Sequence, residues 1–179
     1  MRGLLFTEYF DFVAAEAGDV VLEEVLGELD GAITGAYTSV GNYSFSEFAN
    51  IHTLLCTKLD ASPEDMARQF GENLLGRFRD MFPSYFDGVQ TGIEFLEKVG
   101  AHIHEEVMKL YPDAKPPVIE VERINGEPSF LVYQSHRPLA AVSEGLASEC
   151  LRFFGDPYKL GEQFKSGDAI KFPLEPIDD

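Results

Sequence analysis

The sequence predicts an α+β fold, helices first and an antiparallel sheet second. Three observations carry this. Apolar residues recur at helical spacing through roughly the first two-thirds of the chain. Beyond Pro116-Pro117 the period changes to two, with Ile119 and Val121 alternating with Glu120 and Glu122. An Asn125-Gly126 pair, a strong hairpin signal, then separates this run from Phe130-Leu131-Val132-Tyr133, where alternation resumes. Helices and strands that segregate along a chain in this way pack as α+β.

Taken in order, residues 2–17 and 19–29 are apolar enough for two short helices, broken near Gly18 and Gly31. The Gly-, Ser- and Thr-rich stretch from Gly31 to Tyr43 reads as a loop. Ser44 with Glu47 forms a capping-box pattern ahead of Phe45, Phe48, Ile51, Leu55 and Leu59. Ser62-Pro63-Glu64-Asp65 starts another helix with Pro at its first position, and Met66, Phe70, Leu74 and Phe78 recur behind it every four residues. A long helix is expected from about Val89 to Leu110, ended by Tyr111-Pro112 and Pro116-Pro117. The last helix follows Pro138 with Leu139, Val142, Leu146 and Phe153 in its stripe. Gly167-Asp168 in the tail marks a turn able to return two more strands to the sheet.

Composition narrows the class. A chain of 179 residues with 45% hydrophobic content and 15 Phe can bury a sizeable core within one domain. The balance of 31 acidic against 14 basic residues gives a formal charge of −17. A surface so acidic repels nucleic acid and anionic lipid, so neither is an expected partner. No apolar run approaches the roughly 20 residues that cross a bilayer, and the N-terminus lacks a signal-peptide pattern. Two cysteines, Cys56 and Cys150, make no disulfide framework, and the cytosol is the expected compartment. Both lie in apolar helical stretches and are expected to be buried free thiols.

The residues that carry chemistry cluster around one pentapeptide. In an extended segment Tyr133, Ser135 and Arg137 point the same way, bringing together a phenol, a hydroxyl and a guanidinium, all donors. Such a set suits paired carboxylates, with Arg137 giving bidentate, charge-assisted bonds. A haem brings two propionates and needs an axial ligand, and His104 on the preceding helix can supply it. By the helical period His104 shares its face with Gly100, Ala101 and Met108, small neighbours that leave room for a flat macrocycle. His102 lies about 200° around the same helix among charged residues. His52 and His136 are assigned no role.

These motifs fall in a familiar order. Tyr-x-Ser-x-Arg resembles the signature of the haem–nitric oxide/oxygen binding (H-NOX) family, the gas-sensing domain related to the haem domain of soluble guanylate cyclase. The likeness runs through Met1-Arg2-Gly3, Gly35-Ala36-Tyr37-Thr38-Ser39, Phe82-Pro83-Ser84-Tyr85-Phe86 and His104-Glu105-Glu106-Val107. It continues through Leu110-Tyr111-Pro112-Asp113-Ala114, Pro116-Pro117 and Glu144-Gly145-Leu146, and so covers nearly the whole chain.

The resemblance implies a single haem-enclosing domain over residues 1–179, helical to about residue 61 and cradling haem b from about residue 62 onward. It implies His104 as the axial ligand, and Tyr133, Ser135 and Arg137 on the propionates. Pro117 matches the proline that presses on the porphyrin and distorts it. The distal pocket falls by family position on Leu5, Tyr9, Leu74, Phe78, Val142 and Leu146. Oxygen-binding members carry a tyrosine five residues after the motif arginine, where this chain has Val142. An apolar pocket favours nitric oxide, or carbon monoxide, over polar bound oxygen. Tyr9 is the exception, since its hydroxyl can donate to a ligand unless a neighbour takes it. Some members hold a structural zinc in the C-terminal part. Only Cys150 remains there, so no zinc is expected.

The expected activity is therefore sensing without catalysis, with nitric oxide binding weakening the bond from iron to His104. The signal would pass to a separate partner, by family analogy a histidine kinase, a cyclic-di-GMP enzyme or a chemotaxis receptor. The alternatives are an oxygen sensor or carrier using Tyr9, a haem enzyme, and a haem-free binding module. No nucleophile elbow, His-Glu-x-x-His motif or phosphate loop supports an enzyme, and the distal wall offers no peroxidase-like His and Arg.

Overall fold

The computed structural model describes residues 1–29 and 36–177. The break expected near Gly31 and Gly35 of the motif list lie outside the described residues. The chain forms two compact units, Met1–Phe70 and Gly71–Asp179. No helix among the described residues is long and apolar enough to cross a membrane.

The first unit holds α1 (Gly3–Ala17), α2 (Asp19–Glu28), α3 (Phe45–Leu59) and the start of α4 (Pro63–Met81). Gly18, at φ 89°, ends α1 in a backbone conformation costly for other residues. Two of the sequence motifs meet here. Gly3 N–H donates to Gly41 O at 2.9 Å and Leu4 N–H to Ser39 O at 3.0 Å, binding the N-terminal turn to the loop after Tyr37. A side chain on Gly3 would strike the Thr38 carbonyl, which explains a glycine at that point. The core of this unit is aromatic: Phe6, Tyr9, Phe12, Phe48 and Phe70 are buried with ring centroids 4.9–6.4 Å apart.

The helix starts differ from the pattern in one detail. Ser44 caps α3 by accepting from Ser46 N–H at 3.1 Å, while the Glu47 carboxylate accepts from the Tyr37 hydroxyl at 3.3 Å. The reciprocal capping box therefore does not form, because Tyr37 competes for its acid. At α4 the expectation holds, with Asp65 N–H donating to Ser62 Oγ at 3.3 Å and Pro63 leading the helix.

The second unit packs α5 (Gly92–Lys98), α6 (His104–Leu110) and α7 (Ala140–Phe154) against a five-stranded antiparallel sheet. The strands are β1 (Val118–Ile124), β2 (Glu127–Gln134), β3 (Tyr158–Leu160), β4 (Phe164–Ser166) and β5 (Ala169–Pro176). The β1–β2 hairpin turns on Asn125 and Gly126, at φ 53° and 90°, the left-handed pair that such two-residue turns need. β5 pairs with β2 on one side and with β4 and then β3 on the other, so the tail returns three strands where two were expected. Leu131, Tyr133 and Phe172 of the sheet share the core with Ile93 of α5 and Leu151 of α7.

The expected long helix from Val89 to Leu110 is interrupted. Between α5 and α6 the residues Val99–Ile103 form a π-helical turn, and His104 N–H closes on Val99 O, five residues back. Such turns insert one extra residue and concentrate at functional positions. Its physical cause here is close packing, since a side chain on Gly100 would collide with the Ile119 carbonyl of β1.

Candidate functional site

The site in the second unit is built by register. Ile119 pairs with Tyr133 across the hairpin, and Ile119 also receives Gly100 of the π turn on its backbone. The helix that carries His104 and the strand that carries Tyr133 are thereby drawn to one place. Of the small neighbours named in the sequence reading, Gly100 meets the sheet itself, while Ala101 is exposed.

His104 opens α6, directly after the π turn. Its Nδ1 is buried and has no hydrogen-bond partner among the described residues. Burial holds the imidazole pKa below its ordinary value. The Pro117 backbone, which lacks an N–H and can only accept, opposes this more weakly without completing a bond to Nδ1. An unsatisfied buried nitrogen costs about 1–3 kcal/mol, a penalty usually tolerated where a ligand is to be held. Pro116-Pro117 leads directly into β1, and this brings Pro117 to His104.

The Tyr-x-Ser-x-Arg residues converge, though not by simple alternation. β2 ends at Gln134, and the chain bends over residues 136–138 instead of extending. The bend folds the motif on itself: Tyr133 Oη donates to Arg137 O at 3.3 Å, and Arg137 N–H donates to Ser135 Oγ at 3.1 Å. Burial raises the Tyr133 phenol, while the Ser135 hydroxyl, the Leu139 backbone and the Arg137 charge oppose it. The guanidinium of Arg137 is half-buried and makes no ion pair with another described residue, in a chain where acids outnumber bases by two to one. His136 is exposed.

The sequence-derived distal residues divide between the units. In the second, α4 and α7 cross at backbone contact, where a side chain on Gly71 would strike the Val142 carbonyl and crowd Leu146 N. Leu74 is buried one turn further along α4, Val142 is buried, and Phe78 and Leu146 are half-buried. In the first unit Leu5 is half-buried and Tyr9 fully buried. Tyr9 Oη lies 2.6 Å from His52 Nδ1 and 3.2 Å from Met66 Sδ.

Two contributors escape sequence reasoning. Asp156 is buried and accepts from the Gly92 and Ile93 amides, while Thr91 Oγ1 accepts from Glu94 N–H at 3.1 Å. Together they satisfy the first free N–H groups of the helix that leads to His104. Asp156 acts from 64 residues away, so no local signal marks it. His52, the partner of Tyr9, is likewise revealed only by the fold.

A haem requires an axial nitrogen and donors for two propionates. A half-buried imidazole held neutral by its surroundings and a phenol–hydroxyl–guanidinium cluster fit that requirement.

The comparisons agree. The Haem-NO-binding family matches residues 2–162. Among solved structures, the Fe(II) unliganded H-NOX protein of K. algicida is similar, with a TM-score of 0.86 and 28% identity over 100% of this chain and 98% of that one. A single-substitution mutant of it gives 0.87 and 29% over the same shares. The H-NOX protein of S. oneidensis in its Fe(II)NO ligation state gives 0.86 at 23% identity, covering 99% of this chain and 100% of that chain. No curated protein matches. The chain therefore belongs to the Haem-NO-binding, or H-NOX, family of haem-binding gas-sensor domains, which take gaseous ligands such as nitric oxide.

Proposed function

We propose that this protein is a cytoplasmic nitric oxide sensor that holds haem b through His104 and has no catalytic activity of its own. The observation that carries this reading is the buried imidazole of His104 beside Pro117, kept neutral by its burial, on a helix packed against the strand that leads into the Tyr133–Ser135–Arg137 cluster. When bound, the haem supplies an iron with one open position for a diatomic gas, nitric oxide or carbon monoxide.

The residues then have distinct tasks. His104 is neutral at pH 7 because burial lowers its pKa, and only a neutral imidazole ligates. Tyr133, Ser135 and Arg137 orient the group by its carboxylates, with Arg137 offering a fork of donors that no acid in the described chain occupies. Pro117, rigid and adjacent to His104, would bear on a haem held there. Leu74, Phe78, Val142 and Leu146 offer the gas an apolar wall. Val142, standing where oxygen binders have tyrosine, favours nitric oxide and excludes oxygen.

Loss of the bond to His104 on nitric oxide binding would release the helix behind it, and a partner reads the change. That partner is a separate histidine kinase, cyclic-di-GMP enzyme or chemotaxis receptor. Coupling requires that gas and partner each distinguish the two states. The oxygen reading rests on Tyr9, and the hydrogen bond from Tyr9 to His52 weighs against it.

Absorption spectroscopy tests the proposal. The reduced protein should keep its Soret band unchanged on brief exposure to air and shift it with nitric oxide, and His104→Gly should abolish haem retention. A stable change in air would favour oxygen, and no Soret band after haem reconstitution would end the haem reading.

A further inference from the structure

We propose that Asn125 is a modification site, where loss of its side-chain amide and isomerisation to isoaspartate open the β1–β2 hairpin and set a chemical lifetime for this protein. The site stands independently of the haem reading.

Three features meet at this position. The asparagines of the chain are followed by Tyr43, Ile51, Leu74 and Gly126, so only at Asn125 does no side chain shield the next amide. Asn125 and Gly126 are both exposed, as are Arg123, Ile124 and Glu127 around them. The end of the hairpin is also weakly held. The strand register shifts between Glu122 and Arg123, and Arg123 then faces Pro128, which has no N–H to give. Ile124 N–H donates to a side chain, the Ser129 hydroxyl, at 3.2 Å. The tie from Arg123 Nη1 to Gly126 O, at 3.2 Å, is exposed to water.

The chemistry needs only water. The Gly126 amide nitrogen attacks Cγ of Asn125. A bond from that nitrogen to Cγ forms, the bond from Cγ to Nδ2 breaks, and ammonia leaves with the amide proton. Water then opens the resulting cyclic imide at either carbonyl. Opening at the side-chain carbonyl gives aspartate. Opening at the main-chain carbonyl gives isoaspartate, whose backbone runs through the former side chain. Water is consumed and ammonia released, with no change of oxidation state. The attack requires Asn125 to leave its left-handed turn conformation, φ 53°, so it draws on local opening of the hairpin end.

The two products differ in consequence. Isoaspartate adds a methylene to the main chain of a two-residue turn that depends on a left-handed pair, and it places a negative charge beside Glu127. That turn fixes the register of the hairpin, which sets Ile119 opposite Tyr133. Aspartate adds charge alone, and Asp-Gly suits the same turn.

The test ages the full chain in warm, mildly alkaline buffer and follows each asparagine by peptide mapping with mass spectrometry. The mass change of amide-to-acid exchange should accumulate at Asn125 ahead of Asn42, Asn50 and Asn73, with electron-transfer fragmentation identifying isoaspartate. Amide hydrogen exchange at Ile124 and Glu127 should quicken about tenfold in the isoaspartyl fraction, the equivalent of one or two lost hydrogen bonds. Asn125→Gly keeps a suitable turn and has no amide to lose, so its exchange should not change with age. Freshly purified Asn125→Asp should match the fresh parent. Deamidation no faster at Asn125 than at the other asparagines, or an isoaspartyl fraction that exchanges like the fresh protein, would overturn the inference. So would fresh Asn125→Asp exchanging as fast as the aged form, since charge alone would then account for the opening.

Discussion

A side chain on Gly100 would run into the carbonyl oxygen of Ile119, so the helix bearing His104 touches the sheet backbone to backbone. Ile119 in turn pairs with Tyr133. One small residue thus sets the distance between the helix that carries His104 and the strand that leads into the Tyr-x-Ser-x-Arg bend.

Replacing Gly100 by Ala should therefore cost about 1–3 kcal/mol, the usual range for overpacking a tight contact. Its effect should also reach the ligand. Thermal unfolding would register the loss of stability, and the ferrous Soret band of Gly100→Ala should move while that of an exposed control such as Glu105→Ala does not. An unchanged melting temperature would show that the π turn relaxes freely.

Asp156 gives a second prediction. Its carboxylate accepts from two buried amides at the start of α5. Asp156→Ala leaves both without an acceptor, at about 1–3 kcal/mol for each buried group. Hydrogen exchange at Gly92 and Ile93 should accelerate together with a lower denaturation midpoint. Exchange rates matching the parent would mean that Thr91 alone caps the helix.

Much of this arrangement was legible in the sequence, and the misses share a physical cause. Helix starts at Ser44 and Ser62, the Asn125-Gly126 turn and the period change after Pro117 are local signals, and each appears in the fold. The donor side chains of Tyr133, Ser135 and Arg137 were legible as residue types, but the bend after Ser135 was not. The π turn at Val99–Ile103 depends on the strand packed against Gly100, which a helical period cannot reveal. The bonds from Asp156 to Gly92 and from Tyr9 to His52 span 64 and 43 residues, beyond any pattern read along the chain.

Arg137 separates binding from stability. Its guanidinium makes no ion pair with a described residue, although its backbone anchors the bend. Arg137→Ala should lower haem retention strongly, while haem-free protein should lose less than about 0.5 kcal/mol, as for surface substitutions. Haem titration and urea unfolding of the haem-free form measure the two effects. A large loss of stability with normal haem uptake would assign Arg137 a structural role instead.

The two buried histidines predict a pH dependence whose sign follows from linkage. Burial holds the pKa values of both His52 and His104 below the ordinary value, with the Pro63 and Pro117 backbones opposing it. In the unfolded chain both titrate near 6.5. As pH falls through that value the unfolded chain takes up protons that the folded one refuses, so unfolding gains. The stability these groups contribute is thus complete above about pH 6.5. It declines as pH falls towards their folded values and levels off below them. Urea midpoints of the haem-free protein should accordingly be flat from about pH 8 to 7 and fall between about 6.5 and 5.5. His52→Gln and His104→Gly should each flatten that fall. Midpoints that hold steady or rise on acidification across this window would contradict the assignment of both imidazoles as buried and neutral.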